Sequence, residues 1–296
     1  MNLKIWFLET RPQFLLLSPV LIFLGVAIAW YEGFFNLYYS LLAFIGLLLL
    51  HISTNVLNDY YDYKSGIDRA TRRTPFSGGS GILPAELLKP NSVFRLGIVC
   101  FLLAVPIGIY FVLITGWQLL PLLLLGAIFV LLYTPYLTRL AWPELVAGSG
   151  LGTLPVLGAY FVQTGTYTLP AVIAAIPSGI LVHNLLFLNE FPDTEADKKA
   201  GRKTLPITLG KSKASKLYVL TTVIVYLWII GGVITGFLPL ATFTALLTIP
   251  FAIKAIKGAI NYNDNSKFMP ALGANVLVVL LTQFLLGIGY ILAKVI

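Results

Sequence analysis

Nine stretches of mostly apolar residues run through the chain, near 13–31, 36–57, 92–115, 117–133, 143–163, 169–190, 215–235, 238–257 and 270–295. A helix crossing a hydrocarbon core of about 30 Å needs roughly 20 such residues. In lipid the backbone must satisfy its own hydrogen bonds, and continuous apolar runs of this length do so as helices. The chain therefore reads as an all-α polytopic membrane protein with nine transmembrane helices. Composition excludes the competing classes: 58% of the residues are hydrophobic and 11% charged, whereas soluble domains carry about 25% charged residues. A soluble enzyme on a single tether is excluded, because the apolar character spans the whole chain. A disulfide scaffold is excluded too, since the one cysteine, Cys100, sits inside an apolar run. Ala27-Ile28-Ala29 resembles a signal-peptidase site, but the stretch before it exceeds a signal core of about 7–15 residues and is read as a true span.

Charge gives the expected orientation. With nine spans and the N-terminus inside, nineteen of the twenty Lys and Arg residues fall on one side and only Lys294 on the other. Positively charged loops stay cytoplasmic, so the N-terminus and the long loops are expected to face the cytoplasm. The net charge of +8 is spread over these loops with no soluble basic domain to carry it. Nucleic acid is therefore not an expected partner; the lipid bilayer is.

A repeated pattern marks where chemistry belongs. The second span ends in Leu57-Asn58-Asp59-Tyr60-Tyr61-Asp62 and the sixth in Leu188-Asn189-Glu190-Phe191-Pro192-Asp193, both Leu-Asn-acid-aromatic-x-Asp. Each runs on to further carboxylates, Asp68 in one case and Glu195 and Asp197 in the other, and then to a basic tail. The copies end spans that are four apart and point the same way. This suggests one domain over 1–296 built from two parallel four-helix halves, 13–133 and 143–257, with a ninth helix at 270–295. Asn58 and Asp62 are an i, i+4 pair, and Asn189, Asp193 and Asp197 continue that spacing, so each copy puts oxygen ligands on one helix face. Acidic groups converging at the mouth of an apolar bundle repel one another unless a cation lies between them. Mg²⁺ suits such a site, being commonly bound by one or two carboxylates together with substrate phosphates. No His or Cys cluster points to zinc.

These residues resemble the UbiA superfamily of intramembrane aromatic prenyltransferases. Asn58-Asp59-Tyr60-Tyr61-Asp62-Tyr63-Lys64-Ser65-Gly66-Ile67-Asp68 looks like the first Asp-rich motif of that family, and Asp193-Thr194-Glu195-Ala196-Asp197 with Gly201-Arg202-Lys203-Thr204-Leu205 looks like the second. Gly66 followed by Asp68 resembles the 1,4-dihydroxy-2-naphthoate polyprenyltransferase branch, as does Leu154-Pro155-Val156-Leu157-Gly158-Ala159-Tyr160-Phe161-Val162-Gln163-Thr164-Gly165. The branch usually reads Asn-Asn-x-Arg-Asp before the second motif; this chain has Asn189-Glu190-Phe191-Pro192-Asp193, losing the Arg and adding a carboxylate.

The resemblance implies a nine-helix fold and a Mg²⁺-dependent enzyme that moves a polyprenyl group from its diphosphate to an aromatic acceptor, 1,4-dihydroxy-2-naphthoate in menaquinone biosynthesis. Metal ligands would come from Asn58, Asp59, Asp62, Asp68, Asp193 and Asp197. Lys64, Arg72, Arg73, Lys198, Arg202 and Lys203 are candidates for the diphosphate oxygens, with Lys64 and Arg202 foremost and joining Asp62 and Asp193 as the catalytic set. His51, Asn55, Tyr61, Tyr133, Tyr160 and Asn189 are candidates for holding the acceptor or stabilising an allylic cation. Ser77-Gly78-Gly79-Ser80-Gly81 lacks the form of a nucleotide loop and suits a lid over the diphosphate. Gly148-Ser149-Gly150-Leu151-Gly152 suits close helix packing. Other acceptors compatible with the pattern are 4-hydroxybenzoate and a glycerol-phosphate lipid. A transporter is the rival from another class, and it predicts ionisable groups near the bilayer midplane rather than at the span ends. The location implied is a prokaryotic plasma membrane, with the active site on the cytoplasmic face.

Overall fold

The computed structural model describes residues 2–70, 73–74, 77–140 and 142–296, with the side chains of Arg69 and Ala70 omitted. Among the described residues every regular element is helical. Two short helices, α1 (Leu3–Glu9) and α2 (Pro12–Leu15), lead into α3 (Leu17–Tyr31); α4 (Leu37–Ser65) and the single turn α5 (Ile67–Ala70) follow. Next come α6 (Pro90–Thr115), α7 (Leu120–Leu132), α8 (Pro143–Gly148), α9 (Leu154–Thr164) and α10 (Leu169–Asn189). Short helices α11 (Thr194–Lys199) and α12 (Leu205–Leu209) precede α13 (Lys211–Ile234), α14 (Ile249–Ile260) and α15 (Asn265–Val295).

Among the described residues eight helical segments are long and apolar enough to cross a membrane: Pro12–Tyr31, Leu37–Ser65, Pro90–Thr115, Pro143–Thr164, Leu169–Asn189, Lys211–Ile234, Leu240–Ile260 and Asn265–Val295. The expected fourth span corresponds to a shorter apolar helix, Trp117–Leu132. The protein is an integral membrane protein. Large apolar side chains such as Leu103, Leu113, Leu124, Leu227 and Ile234 stand exposed on its flanks, as a lipid-facing belt requires.

Local chemistry sets the ends of these helices. Asn36 and Thr168 accept backbone N–H groups of Tyr39 and Ala171 as N-caps. Helix α4 outruns its apolar stretch, carrying the Asn-Asp pattern as helix to Gly66, which ends it with φ +84°.

Small residues let the central helices touch. A Cβ at Gly152 would lie 2.5 Å from the Ser178 carbonyl oxygen and 2.8 Å from Gly179 Cα, and one at Gly148 would lie 2.5 Å from the Gly179 carbonyl oxygen. The glycine-rich stretch therefore packs backbone to backbone against α10, as the sequence suggests. Between α8 and α9 the chain forms a π-helical turn, Ser149–Thr153, broken at Leu151 with φ −115°. Such bulges concentrate at functional sites, and this one faces the cavity described below.

The buried interior of the α10, α13 and α15 group is polar in places. Asn184 receives the Thr221 hydroxyl and donates to Thr222, while Asn275 donates to the Asn184 carbonyl and accepts from Tyr218. Every one of these groups finds a partner across helices, as burial in an apolar medium demands.

Candidate active site

The C-terminal ends of α4 and α10 meet at one cavity of about 660 Å³. Asn58, Asp62 and Asp68 reach it from the first repeated segment, and Asn189, Asp193, Asp197 and Arg202 from the second. Residues more than 120 positions apart in sequence thus share one wall system. Arg202 joins them: its guanidinium donates to Asp197 Oδ1 at 2.9 Å and to Asp62 Oδ1. Asn58 donates to Asp62 Oδ2 at 3.1 Å, the i, i+4 contact expected from the helix.

Three residues before the first span complete the charge pattern, and sequence reasoning missed their role. Arg11 lies 2.6 Å from Asp59 and donates to Asn58 Oδ1 at 3.0 Å. It does so from a left-handed backbone conformation, φ +55°, uncommon for a residue with a Cβ and typical of functional or over-determined positions. The backbone carbonyl of Thr10 accepts from Asn55. Fully buried Glu9 accepts the Ser80 hydroxyl at 2.9 Å, while Asp59 accepts the Ser80 N–H at 2.9 Å. The Ser77–Gly81 stretch thus roofs the cavity and is tied through Ser80 to Glu9 and Asp59 behind the cavity wall. Glu144 and Glu190 were also missed: Glu144 is fully buried and accepts the Leu205 N–H, and Glu190 contacts it from the end of α10. The available signal for all four was charge placed against an apolar span.

Asp62, Asp68, Asp193 and Asp197 all line this one cavity. Among the described residues no three acidic, His or Cys side chains come together as a metal site by themselves. Arg11 and Arg202 stand between the carboxylates instead, because burial without a counter-charge is costly. The donor set still fits a hard cation that takes part of its shell from phosphate and water. Among the described residues Asn189 Oδ1 and Asp193 Oδ1 are buried oxygens with no hydrogen-bond partner, and both residues line the cavity.

The electrostatics follow from that burial. Desolvation, reinforced by Asp197, pushes the Asp193 carboxyl up to about 7. Desolvation and the charges of Asp62 and Asp59 push Asp68 up to about 7. Asp197 rises to about 6, burial outweighing the pull of Arg202. Glu9 rises to about 8, mainly through burial and the nearby Asp59. Burial works against the charge of Arg202, but Asp62 and Asp197 outweigh it and push its pKa up.

Several expected residues lie elsewhere. Lys64 is exposed and sits over the Tyr60 ring at 5.8 Å; two residues beyond Asp62 on a helix, it faces away from the cavity. Tyr61 meets the Tyr60 ring edge to face, outside the cavity wall. Lys198 and Lys203 are exposed and do not line the cavity. Tyr160 is at the opposite end of the bundle, where its hydroxyl bonds Glu32 and Thr168. Asp59 is buried behind the cavity rather than lining it. Arg73 does line it and donates to the Ser80 carbonyl. Arg72 falls outside the described residues. His51, Asn55 and Tyr133 all line the cavity.

A second, apolar cavity of about 200 Å³ runs between α4, α6, α7 and α9. Leu47, Ile107, Phe111, Leu122, Phe129 and Val162 are among its walls, with Gly108, Gly126 and Gly158 leaving it room. The two cavities share His51, Thr54, Tyr133, Ala147 and Leu151, so the charged chamber adjoins an apolar groove.

Comparison with known proteins follows the same lines. The model of the UbiA prenyltransferase family matches residues 16–292. A 1,4-dihydroxy-2-naphthoate octaprenyltransferase from Bacillus subtilis (strain 168) is 30% identical, over 96% of this chain and 91% of its own length. Among solved structures, a UbiA homolog from Aeropyrum pernix K1 in its apo form superposes with a TM-score of 0.72 at 20% identity, covering 95% of this chain and 98% of that one. A UbiA homolog from Archaeoglobus fulgidus bound to GPP and Mg²⁺ superposes with a TM-score of 0.57 at 14% identity, over 95% and 99% of the two chains.

Proposed function

The chain belongs to the UbiA prenyltransferase family, and from that premise we propose that it transfers a polyprenyl group from an isoprenyl diphosphate to 1,4-dihydroxy-2-naphthoate, with Mg²⁺ as cofactor. One observation carries the reading: two Asp-bearing helix ends meet in a charged chamber that shares a wall with an apolar groove. The donor has the same two parts, a diphosphate and a long hydrocarbon tail. The naphthoate acceptor is supported by the Bacillus subtilis relative, which carries that substrate in its name and matches nearly the whole chain.

Asn58, Asp62, Asp68, Asp193 and Asp197 would hold Mg²⁺. When bound, the ion neutralises charge developing on the leaving diphosphate. Arg202 and Arg73 would contact diphosphate oxygens, charge-assisted and pre-positioned by Asp197 and by the Ser77–Gly81 roof. Lys198, Lys203 and Arg72 would guide the diphosphate to the mouth. Arg11 orients Asn58 and Asp59. The apolar groove would take the prenyl tail and keep water from the allylic carbon. As the C–O bond breaks, its electron pair leaves with the diphosphate. A ring carbon of the acceptor then supplies the pair for the new C–C bond, and that carbon's own substituent, a proton or the carboxylate as CO2, leaves so that the ring regains its aromaticity. Tyr133, at the join, presents a ring face to the positive charge.

The further architectural reading is nine transmembrane helices, Trp117–Leu132 included, in two parallel halves plus α15. The N-terminus and the chamber would face the cytoplasm of a prokaryotic plasma membrane, consistent with the Lys and Arg distribution.

The test is product formation by the purified protein in lipid, with Mg²⁺, geranylgeranyl diphosphate and a panel of acceptors, beside Asp62→Ala and Asp193→Ala. Prenylated naphthoate that requires Mg²⁺ and is lost in both variants is the expected result. Product only with 4-hydroxybenzoate or a glycerol-phosphate acceptor would overturn the naphthoate assignment. Absence of product with every acceptor, from folded protein, would overturn the transferase reading.

A further inference from the structure

The charged chamber and the apolar groove meet at five residues, His51, Thr54, Tyr133, Ala147 and Leu151. If the diphosphate occupies the chamber and the tail the groove, the reacting allylic carbon lies at this join, and the acceptor ring must reach it there. Only three of the five side chains are polar. The Thr54 hydroxyl donates to its own helix, to the Leu50 carbonyl at 2.9 Å. The Tyr133 hydroxyl lies toward the charged side, near Glu190, Glu144 and Arg202. His51 remains.

Its orientation is fixed from behind. Ser18, fully buried on α3, places Oγ 2.9 Å from His51 Nδ1. Among the described residues Ser18 Oγ has no second hydrogen-bond partner. A buried hydroxyl needs an acceptor for its proton, and among the described residues the only one in reach is Nδ1. The hydrogen-bond network therefore assigns Nδ1 as the acceptor and puts the ring proton on Nε2. Nε2 has no protein partner among the described residues and is not sealed among protein atoms. His183 differs in each respect: it lines neither cavity, stacks on Phe187, and has Nδ1 buried without a partner.

We propose that His51 is the acceptor-binding residue, donating its Nε2–H across the join to an anionic or phenolic oxygen of the aromatic substrate, with Ser18 holding the tautomer. This rests on the transferase reading and adds to it the residue that recognises the acceptor. A donor is the required partner, since naphthoate and hydroxybenzoate acceptors present carboxylate and phenolic oxygens. An imidazole held neutral and singly protonated supplies one donor without placing a second cation beside an allylic cation.

Two measurements test it, both on the full chain in lipid nanodiscs. The first is kinetic. His51→Phe is expected to raise the KM for dihydroxynaphthoate about tenfold, the loss of one hydrogen bond to a charged group, with the KM for geranylgeranyl diphosphate within twofold. His51→Gln, which carries an amide donor at similar reach, is expected to recover most of that loss. The second uses the unaltered chain, whose two histidines give two sets of ¹⁵N ring resonances. The His51 set is expected to show the Nε2–H tautomer and to shift when dihydroxynaphthoate is added without donor, while His183 stays put. An unchanged acceptor KM in His51→Phe, equal changes in both KM values, or a His51 resonance unmoved by saturating acceptor would overturn the proposal. These failures are distinct from failure of the transferase reading, in which the unaltered protein makes no product with any acceptor.

Discussion

Arg202 is the joint on which the two repeated segments depend, and Arg202→Met isolates its contribution. Its guanidinium bonds Asp197 Oδ1 at 2.9 Å and also bonds Asp62, and the side chains of Arg202, Asp62 and Asp197 are 15%, 9% and 3% exposed. Removing one partner from a buried ion pair costs about 3–5 kcal/mol, because the remaining charge is left uncompensated. Here two carboxylates are left facing one another, so the upper part of that range applies. Methionine keeps the length and apolar stem, which separates loss of charge from loss of packing. A kcal/mol corresponds to roughly 2–4 °C in Tm for chains somewhat smaller than this one, so a fall of at least about 6 °C is expected in chelator. The assay is thermal unfolding of both proteins in detergent, with EDTA and then with saturating Mg²⁺. Because a bound cation can replace the guanidinium charge between the carboxylates, Mg²⁺ should restore much of the loss in stability. Activity should stay at least about 100-fold down, since a preorganised donor to the diphosphate is gone. A variant that melts within about 1 °C of the unaltered protein in EDTA would refute the reasoning.

Three further outcomes follow from the geometry. Asp193 and Asp68 at about 7 and Asp197 at about 6 bind protons more tightly folded than unfolded. Their contribution to stability is therefore fully present below about pH 4 and is lost as pH rises through 6–7. Metal-free protein should melt higher at pH 5 than at pH 8, and Mg²⁺ affinity by titration calorimetry in the presence of a non-hydrolysable diphosphate analogue should rise over the same interval. A Cβ at Gly126 meets nothing within 4 Å although the residue lines the apolar groove, so Gly126→Phe should leave folding intact and fill the groove. Its kcat/KM for geranylgeranyl diphosphate should fall about tenfold relative to geranyl diphosphate in a competition assay. Gly152→Ala forces the turn before α9 away from the Ser178 carbonyl, costing about 1–3 kcal/mol as overpacking, visible as a lower Tm.

The spans were legible because lipid imposes length and apolarity together. The expected 143–163 and 169–190 coincide closely with Pro143–Thr164 and Leu169–Asn189. Helix α4 runs to Ser65 rather than stopping near 57, since an Asn-Asp helix face pointing into a chamber carries no apolar signal. The duplicated Asn-Asp pattern led to the chamber itself, where Asn58, Asp62, Asn189, Asp193 and Asp197 are found together. Which basic residues enter it was less legible. Lys64 lies two positions past Asp62, and helical geometry alone turns it away; Arg202, five past Asp197, returns to it through the turn that ends α11. Glu9, Arg11 and Glu144 act through contacts 47–71 residues distant in sequence. Such pairings are set by how helices pack and leave no periodic trace. Tyr160 shows the converse: a polar ring within a span, joined to Glu32 and Thr168, fastens the far end of the bundle.

The central claim is that the two Asp-bearing segments form one metal and diphosphate site. Its most direct measurement is Mn²⁺ binding, followed by electron paramagnetic resonance, to the full chain in lipid with a non-hydrolysable geranylgeranyl diphosphate analogue. The account predicts tight Mn²⁺ binding only with the analogue present, lost alike in Asp62→Ala and in Asp193→Ala. Analogue-dependent binding that survives either substitution unchanged would contradict it.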